Sequence, residues 1–182
     1  RQEEDGSLTK VRETGGEFEA IIARDYASLF NTENGEDPDS RSDNKGPEPE
    51  GVAIGRVGDR IYAFVTLERV GGVMVYDVTD PANATFTGYR PAVVGEDDAP
   101  ETVTFVASAD NPTGEALVIS ANEVSGTTTL YRAVRQTAGD DVIRGGADGD
   151  RFDGRGGNDR ILGLGGEDAL RGGAGRDVLD GG

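Results

Sequence analysis

The chain has 182 residues, 35 acidic and 18 basic side chains, a net charge of −17, and neither cysteine nor histidine. This charge repels nucleic acid and anionic membranes, so nucleic-acid binding is a poor hypothesis. The missing residue types exclude disulfides, thiolate chemistry and imidazole-bound metals within this sequence. Any metal must therefore be held by oxygen, which indicates calcium or magnesium. No stretch approaches the roughly 18 apolar residues of a membrane span.

Residues 1–50 are acidic and rich in loop-forming residues, as in NTENGEDPDSRSDNKGPEPEG (31–51). Such a stretch predicts a loop or linker. One short amphipathic helix is predicted at about 17–30, where apolar side chains recur at helical spacing. These side chains are Phe18, Ile21, Ile22, Tyr26, Leu29 and Phe30.

Residues 51–135 contain six short runs of β-branched and aromatic residues, each bounded by turn residues, which predict antiparallel strands. The runs are GVAIGRV, RIYAFVTLE, GVMVYDV, TVTFVAS, EALVISANE and GTTTLYRAV. The segment from Pro49 aligns with the segment from Pro100, which indicates one four-stranded sheet used twice. A repeat of about 50 residues of pure strand is typical of propeller blades. Because two blades cannot close a ring, we expect others upstream of Arg1.

Three phrases in this region carry a family resemblance: DSRSDNKGPEPEGVAIG (39–55), ERVGGVMVYDVTDPANATF (68–86) and ANEVSGTTTLY (121–131). They resemble the closing part of the propeller-like choice-of-anchor I domain of secreted bacterial proteins, over roughly residues 17–135. The family's Pro-Glu-Gly is present at Pro49–Gly51 but becomes Pro-Glu-Thr at Pro100–Thr102. The resemblance implies part of a propeller-like domain and leaves its protein or glycan partner open.

From Gln136 the sequence repeats every nine residues, as QTAGDDVIR, GGADGDRFD, GRGGNDRIL, GLGGEDALR and GGAGRDVLD. Each unit has Asp at its sixth position: Asp141, Asp150, Asp159, Asp168 and Asp177. Each has an apolar residue at its eighth: Ile143, Phe152, Ile161, Leu170 and Leu179. This GGxGxDxUx pattern predicts a short parallel β-roll over 136–182, in which two units form one coil of about 18 residues.

The coil period predicts two stacks of aspartates, about 4.8 Å apart, whose repulsion a calcium ion between coils would remove. The expected bridging pairs are Asp141 with Asp159, Asp159 with Asp177, and Asp150 with Asp168. The repeats resemble the RTX, or haemolysin-type, calcium-binding repeats of secreted bacterial proteins, which implies an extracellular location and type I secretion machinery as a partner. The closing Gly181-Gly182 would begin a sixth unit, so we expect a truncated roll.

Two units depart from the pattern. Gln136-Thr137 replace the leading glycines of the first unit, so Asp141 is expected to bind calcium poorly. Asp148 stands at a glycine position of the second unit, where it adds a carboxylate or strains the turn. An EF-hand is a poor alternative, because Phe152 occupies a ligand position.

No catalytic constellation is found: glycine-rich GLGGED and GRGGND lack the order of a nucleotide-binding loop, and no histidine is present to activate a serine. The pair Asp97-Asp98 is interpreted as part of a solvated turn. Two hypotheses remain. The first is a secreted calcium-binding protein with a propeller-like binding or scaffold domain. The second, which a resemblance to secreted proteins labelled alkaline phosphatases implies, is the C-terminal part of a secreted phosphoesterase whose catalytic domain lies upstream.

Overall fold

The computed structural model describes residues 8–147 and 149–182. These residues form short strands, one α-helix and two 3-10 turns, which confirms the predicted all-β class. The chain divides into two compact units between Ala133 and Val134. Among the described residues, no helix has the length and apolar character needed to cross a membrane.

The first unit begins its β structure with a four-stranded antiparallel meander in the order β1-β2-β3-β4. The strands are β1 (Pro49–Val57), β2 (Arg60–Leu67), β3 (Val73–Asp77) and β4 (Thr85–Arg90). Turns between them use glycine in the left-handed region, such as Gly58 with φ of 64°, where residues with a side chain are disfavoured. The sheet therefore follows chain order without a crossover.

A second antiparallel sheet holds three strands in the order β5-β6-β7. They are β5 (Pro100–Val106), β6 (Leu117–Asn122) and β7 (Thr127–Arg132). All six runs predicted as strands are strands, but the expectation of four strands in both sheets is wrong. After β7 the described chain enters the second unit and adds no fourth strand to this sheet.

Helix α1 (Glu17–Asp25) and a 3-10 turn (Ala27–Leu29) occupy the predicted helical range. The α-helix is shorter than predicted because Tyr26 leaves helical geometry, with φ of −139°. Its Ile21 and Ile22 are buried in a core with Leu67 and Met74 from the first sheet. This helix thus covers one face of the four-stranded sheet.

The other face of the first sheet packs against the second sheet through stacked rings. Phe64 and Phe105 lie 5.6 Å apart, centroid to centroid, with an interplanar angle of 10°. Gly55 on β1 permits this contact, because a Cβ there would lie 2.4 Å from the Phe105 ring. The two sheets therefore share one aromatic core, in which the alternation of β1 places glycine opposite a ring.

The acidic segment before β1 is a series of turns, as predicted, but it is fastened to the first sheet. Thr32 is fully buried. The guanidinium of Arg69, in the turn after β2, binds Glu33 at 3.2 Å and Glu48 at 2.9 Å. Arginine suits this role because its planar group serves several carboxylates at once. The ion pairs connect both ends of the segment to a single turn of the sheet.

The interpretation of Asp97-Asp98 as part of a solvated turn is wrong. Each side chain is only 7% exposed. Asp97 accepts the hydroxyl of Tyr131 at 2.9 Å, and Asp98 accepts the N–H of Gly95 at 2.8 Å. The polar sequence GEDDAP concealed this burial because the covering residue lies in β7, far along the chain.

Replacing Gly55 by alanine is expected to lower the free energy of unfolding of the first unit by about 1–3 kcal/mol, since the added methyl overpacks the stacked rings. Gly88→Ala is the matched control, because a Cβ at Gly88 meets nothing within 4 Å. Urea unfolding followed by tyrosine fluorescence measures the effect, since all five tyrosines lie in this unit. Equal midpoints for the two variants would contradict the close packing.

Candidate calcium-binding site

The second unit contains five three-residue strands that pair in parallel as two sheets, β12-β10-β8 and β11-β9. They are β8 (Val142–Arg144), β9 (Arg151–Asp153), β10 (Arg160–Leu162), β11 (Ala169–Arg171) and β12 (Val178–Asp180). Arg160 lies opposite Val142 on one side and Val178 on the other. Residues one coil apart are thus 18 positions apart in sequence, as the nine-residue repeat predicts.

The apolar eighth positions face inward to different extents. Ile143 is 2% exposed and Ile161 is fully buried, whereas Leu179 is 46% exposed. Phe152 and Leu170 are half-buried on the opposite sheet. Each half-coil thus contributes a single side chain to the interior, and that interior is small.

The sixth-position aspartates form two ladders joined by main-chain hydrogen bonds. The N–H of Asp141 donates to Oδ1 of Asp159 at 2.9 Å, and the N–H of Asp159 donates to Oδ1 of Asp177 at 2.9 Å. On the other edge, the N–H of Asp150 donates to Oδ1 of Asp168 at 2.8 Å. The structure therefore brings together the three predicted pairs. Sequence reasoning missed that a main-chain N–H lies between the members of each pair.

The second carboxylate oxygen, Oδ2, differs between units. Oδ2 of Asp141 accepts the N–H of Thr137 at 2.6 Å, and Oδ2 of Asp150 accepts the N–H of Gly146 at 2.8 Å. Oδ2 of Asp159 and Oδ2 of Asp168 are buried without a hydrogen-bond partner among the described residues. A buried carboxylate oxygen without a partner is costly, because nothing replaces the water it has lost.

This difference follows the backbone conformation at the second position of the unit. Arg155 and Leu164 stand there with φ of 68° and 78°. Thr137 and Gly146, whose N–H groups bind a carboxylate, are not left-handed. Where the second position is left-handed, its N–H does not reach the aspartate of its own unit. The unpartnered oxygens of Asp159 and Asp168 thus lie in units whose second residue, Arg155 or Leu164, is left-handed.

The glycine at the first position of the second to fifth units makes room for the aspartate. A Cβ on Gly154 would lie 2.1 Å from Oδ2 of Asp159 and 2.5 Å from the carbonyl oxygen of Gly172 in the next coil. A Cβ on Gly163 would lie 2.0 Å from Oδ2 of Asp168. One small space is therefore faced by a carboxylate oxygen and a main-chain oxygen. These donors fit a hard cation, which prefers a mixed shell of carboxylates and carbonyls.

In residues 8–147 and 149–182, no group of three or more acidic side chains is arranged to hold a metal ion. A cation in the second unit would thus take its remaining ligands from turn carbonyls and water, as the repeat pattern predicts. Asp148, the extra carboxylate considered from the sequence, lies outside the described residues.

A further ladder runs along the fifth positions, and the sequence analysis did not identify it. Oδ1 of Asp140 accepts the N–H of Asn158 at 2.7 Å, and Oδ1 of Asn158 accepts the N–H of Arg176 at 3.1 Å. These exposed side chains form a ladder one position before the aspartates, with the opposite direction: here the N–H of the later residue donates to the side chain one coil earlier. In the sequence this ladder is marked by side chains with an acceptor oxygen at the fifth position of the first and third units, Asp140 and Asn158.

Two stretches of the chain each match a known protein family. Residues 2–81 match the choice-of-anchor I domain, and residues 137–161 and 153–182 match the RTX calcium-binding nonapeptide repeat. Both predicted resemblances are confirmed in the predicted order, and RTX repeats bind calcium. The choice-of-anchor match ends at residue 81, so the likeness of residues 82–135 stays a prediction.

A curated relative is Gigasin-3a of Magallana gigas, 25% identical over 146 residues that cover 69% of this chain and 51% of the relative. The chain thus spans about half the length of this relative. No solved structure matches the chain.

Replacing Leu164 by glycine is expected to stabilise the calcium-loaded second unit by about 0.5–1 kcal/mol. The substitution removes about 1–2 kcal/mol of strain from the left-handed backbone at this position. Part of this gain is lost, because glycine has more conformational freedom than leucine in the unfolded chain. Gly157→Ala should destabilise, because its Cβ would lie 2.3 Å from the carbonyl carbon of Gly139. Thermal unfolding in calcium, followed by circular dichroism, compares them. A lower midpoint for Leu164→Gly would contradict the assigned conformation.

Proposed function

We propose that this chain belongs to an extracellular calcium-binding protein in which residues 136–182 form a roll that folds only when calcium binds. One observation carries the proposal: Oδ2 of Asp159 and Oδ2 of Asp168 are buried and unpartnered among the described residues. A cation is the partner that suits a carboxylate oxygen beside a main-chain carbonyl oxygen. The RTX match names calcium as that cation.

Electrostatics supports the same conclusion. Aspartates on adjacent coils are about one strand spacing apart, and two negative charges 4.8 Å apart repel by roughly 3.5 kcal/mol at an effective dielectric of 20. The main-chain N–H between them provides only a partial positive charge. A divalent ion converts each repulsive contact into two attractive ones. The proposed bridges are Asp141 with Asp159, Asp159 with Asp177, and Asp150 with Asp168.

The small interior makes the roll depend on the metal. Ile143 and Ile161 are the two buried apolar side chains among the roll's described residues, and about three repeats are needed to bury a continuous solenoid core. Binding only to the folded state stabilises that state by mass action. Extracellular modules bind calcium at about 10⁻⁴ to 10⁻³ M. The roll would therefore stay unfolded in the low calcium of a cell interior and fold outside, which suits export through type I secretion machinery.

We assign a binding or scaffold role to the first unit. Its two antiparallel sheets lie face to face across the Phe64–Phe105 stack, as consecutive blades of a propeller would. The partner is a protein or glycan whose identity the described residues do not specify.

The phosphoesterase alternative rests on resemblance alone, and no specific observation in the described residues favours it. The alternative places the catalytic residues upstream, so a phosphatase assay on the purified chain with a chromogenic phosphate ester tests whether these 182 residues have any such activity themselves. Turnover above the level of a heat-denatured sample would replace the binding role with a catalytic one.

Replacing Asp159 by asparagine is expected to raise the calcium concentration for half-maximal folding at least about tenfold, which corresponds to about 1.4 kcal/mol. Asparagine retains an oxygen that can accept the N–H of Asp141 but removes the charge and the second carboxylate oxygen. Circular dichroism during a calcium titration measures the increase in strand signal.

Asp180→Asn is the matched control, since it removes the same charge at an exposed ninth position of the repeat. It should titrate like the parent chain. Superimposable titrations of all three proteins, or a strand signal that is complete without calcium, would refute the proposed bridges.

A further inference from the structure

Two adjacent carboxylates are buried in the first unit, separate in sequence from the repeats. Asp97 and Asp98 lie between β4 and β5, and each is 7% exposed. In the described part of the chain neither of them forms a salt bridge, in contrast to Glu48, which pairs with Arg69 at 2.9 Å. Burying two like charges side by side is unfavourable unless a partner compensates them.

Asp97 is fully engaged by hydrogen-bond donors. One oxygen accepts the main-chain N–H of Val93, and the other accepts the hydroxyl of Tyr131 at 2.9 Å. Burial raises the pKa of the Tyr131 hydroxyl, and the adjacent Asp97 carboxylate raises it further, whereas Arg90 lowers it. Tyr131 therefore remains protonated as a donor, and Arg90 is near enough to act on this cluster.

Among the described residues, only one of the two carboxylate oxygens of Asp98 accepts a hydrogen bond. Its Oδ2 accepts the N–H of Gly95 at 2.8 Å. Its Oδ1 is buried and has no hydrogen-bond partner within the described ranges. The nearby hydroxyl of Ser125 is directed to the main-chain oxygen of Asp98, at 3.5 Å. One oxygen of a buried carboxylate thus has no donor among the described residues.

We propose that Asp98 is the charged ligand of a second cation site, which binds calcium within the first unit and is independent of the repeats. A buried carboxylate oxygen needs either a proton donor or a cation, and the neighbouring donors are already directed elsewhere. Calcium accepts six to eight oxygens of mixed kind. Asp98 Oδ1 would be its charged ligand, and neutral oxygens of the same loop and water would complete the shell.

Terbium, a luminescent substitute for calcium, tests this site because a nearby tyrosine sensitises its emission. The protein is the full chain carrying Asp159→Asn and Asp168→Asn, which weakens the repeat sites. Tyr131 contacts Asp97 directly, and residues 134–182 contain no tyrosine. We expect tyrosine-sensitised emission that calcium displaces. Adding Asp98→Asn should raise the half-saturating terbium concentration at least about tenfold.

Asp110→Asn is the matched control, because it removes one exposed aspartate from the same unit. It should leave the titration unchanged. Emission that calcium does not displace, or equal titrations for Asp98→Asn and Asp110→Asn, would overturn the site.

If tyrosine fluorescence shows that the Asp98→Asn variant is unfolded, the test becomes thermal unfolding of the chain that carries only Asp159→Asn and Asp168→Asn. A bound cation raises the unfolding midpoint of the first unit as calcium increases. A midpoint independent of calcium would overturn the proposal even though the variant does not fold.

Discussion

The hydrogen bond from the main-chain N–H of one aspartate to the carboxylate of the aspartate one coil later organises the repeats. It buries the side chain of Asp159, which is 2% exposed, and fixes where its second oxygen lies. That oxygen occupies the space beside Gly154, so the first position of the unit must lack a side chain. The glycine and the aspartate of the motif are therefore two parts of one steric arrangement, and the apolar eighth position fills what remains of the interior.

Other carboxylates along the chain are also wholly or partly buried, and different kinds of group compensate them. Glu48 is served by the guanidinium of Arg69, Asp97 by a tyrosine hydroxyl, and the oxygens of Asp141 by main-chain and hydroxyl donors of Thr137. Asp98, Asp159 and Asp168 each retain one buried oxygen outside these solutions. In a chain with a net charge of −17, the proposed calcium ions would compensate these oxygens without another basic residue.

Periodic features were predictable from the sequence, and contacts between distant segments were not. The nine-residue repeat predicted the coil length and the three aspartate pairs, because residues at the same position of the repeat have the same orientation in successive coils. Six strands followed from local composition. Strand β4 did not, since TFTGYR has a glycine and alternates with exposed threonines. The burial of Asp97 depends on Tyr131, 34 positions later, and no local pattern marks that contact.

The two units depend on different kinds of stabilisation, and we therefore expect calcium to affect them to different extents. The first unit buries Leu67, Met74 and Tyr76 against a helix and stacks two phenylalanines between its sheets, so apolar burial stabilises it at any calcium concentration. In the second unit Leu179 remains 46% exposed, and each half-coil adds one apolar side chain. So small an interior does not offset the entropy of ordering a glycine-rich chain, and under the proposed function cations bound along the aspartate ladders supply the difference. Under that proposal, calcium controls folding of the repeats while the sheets before them persist.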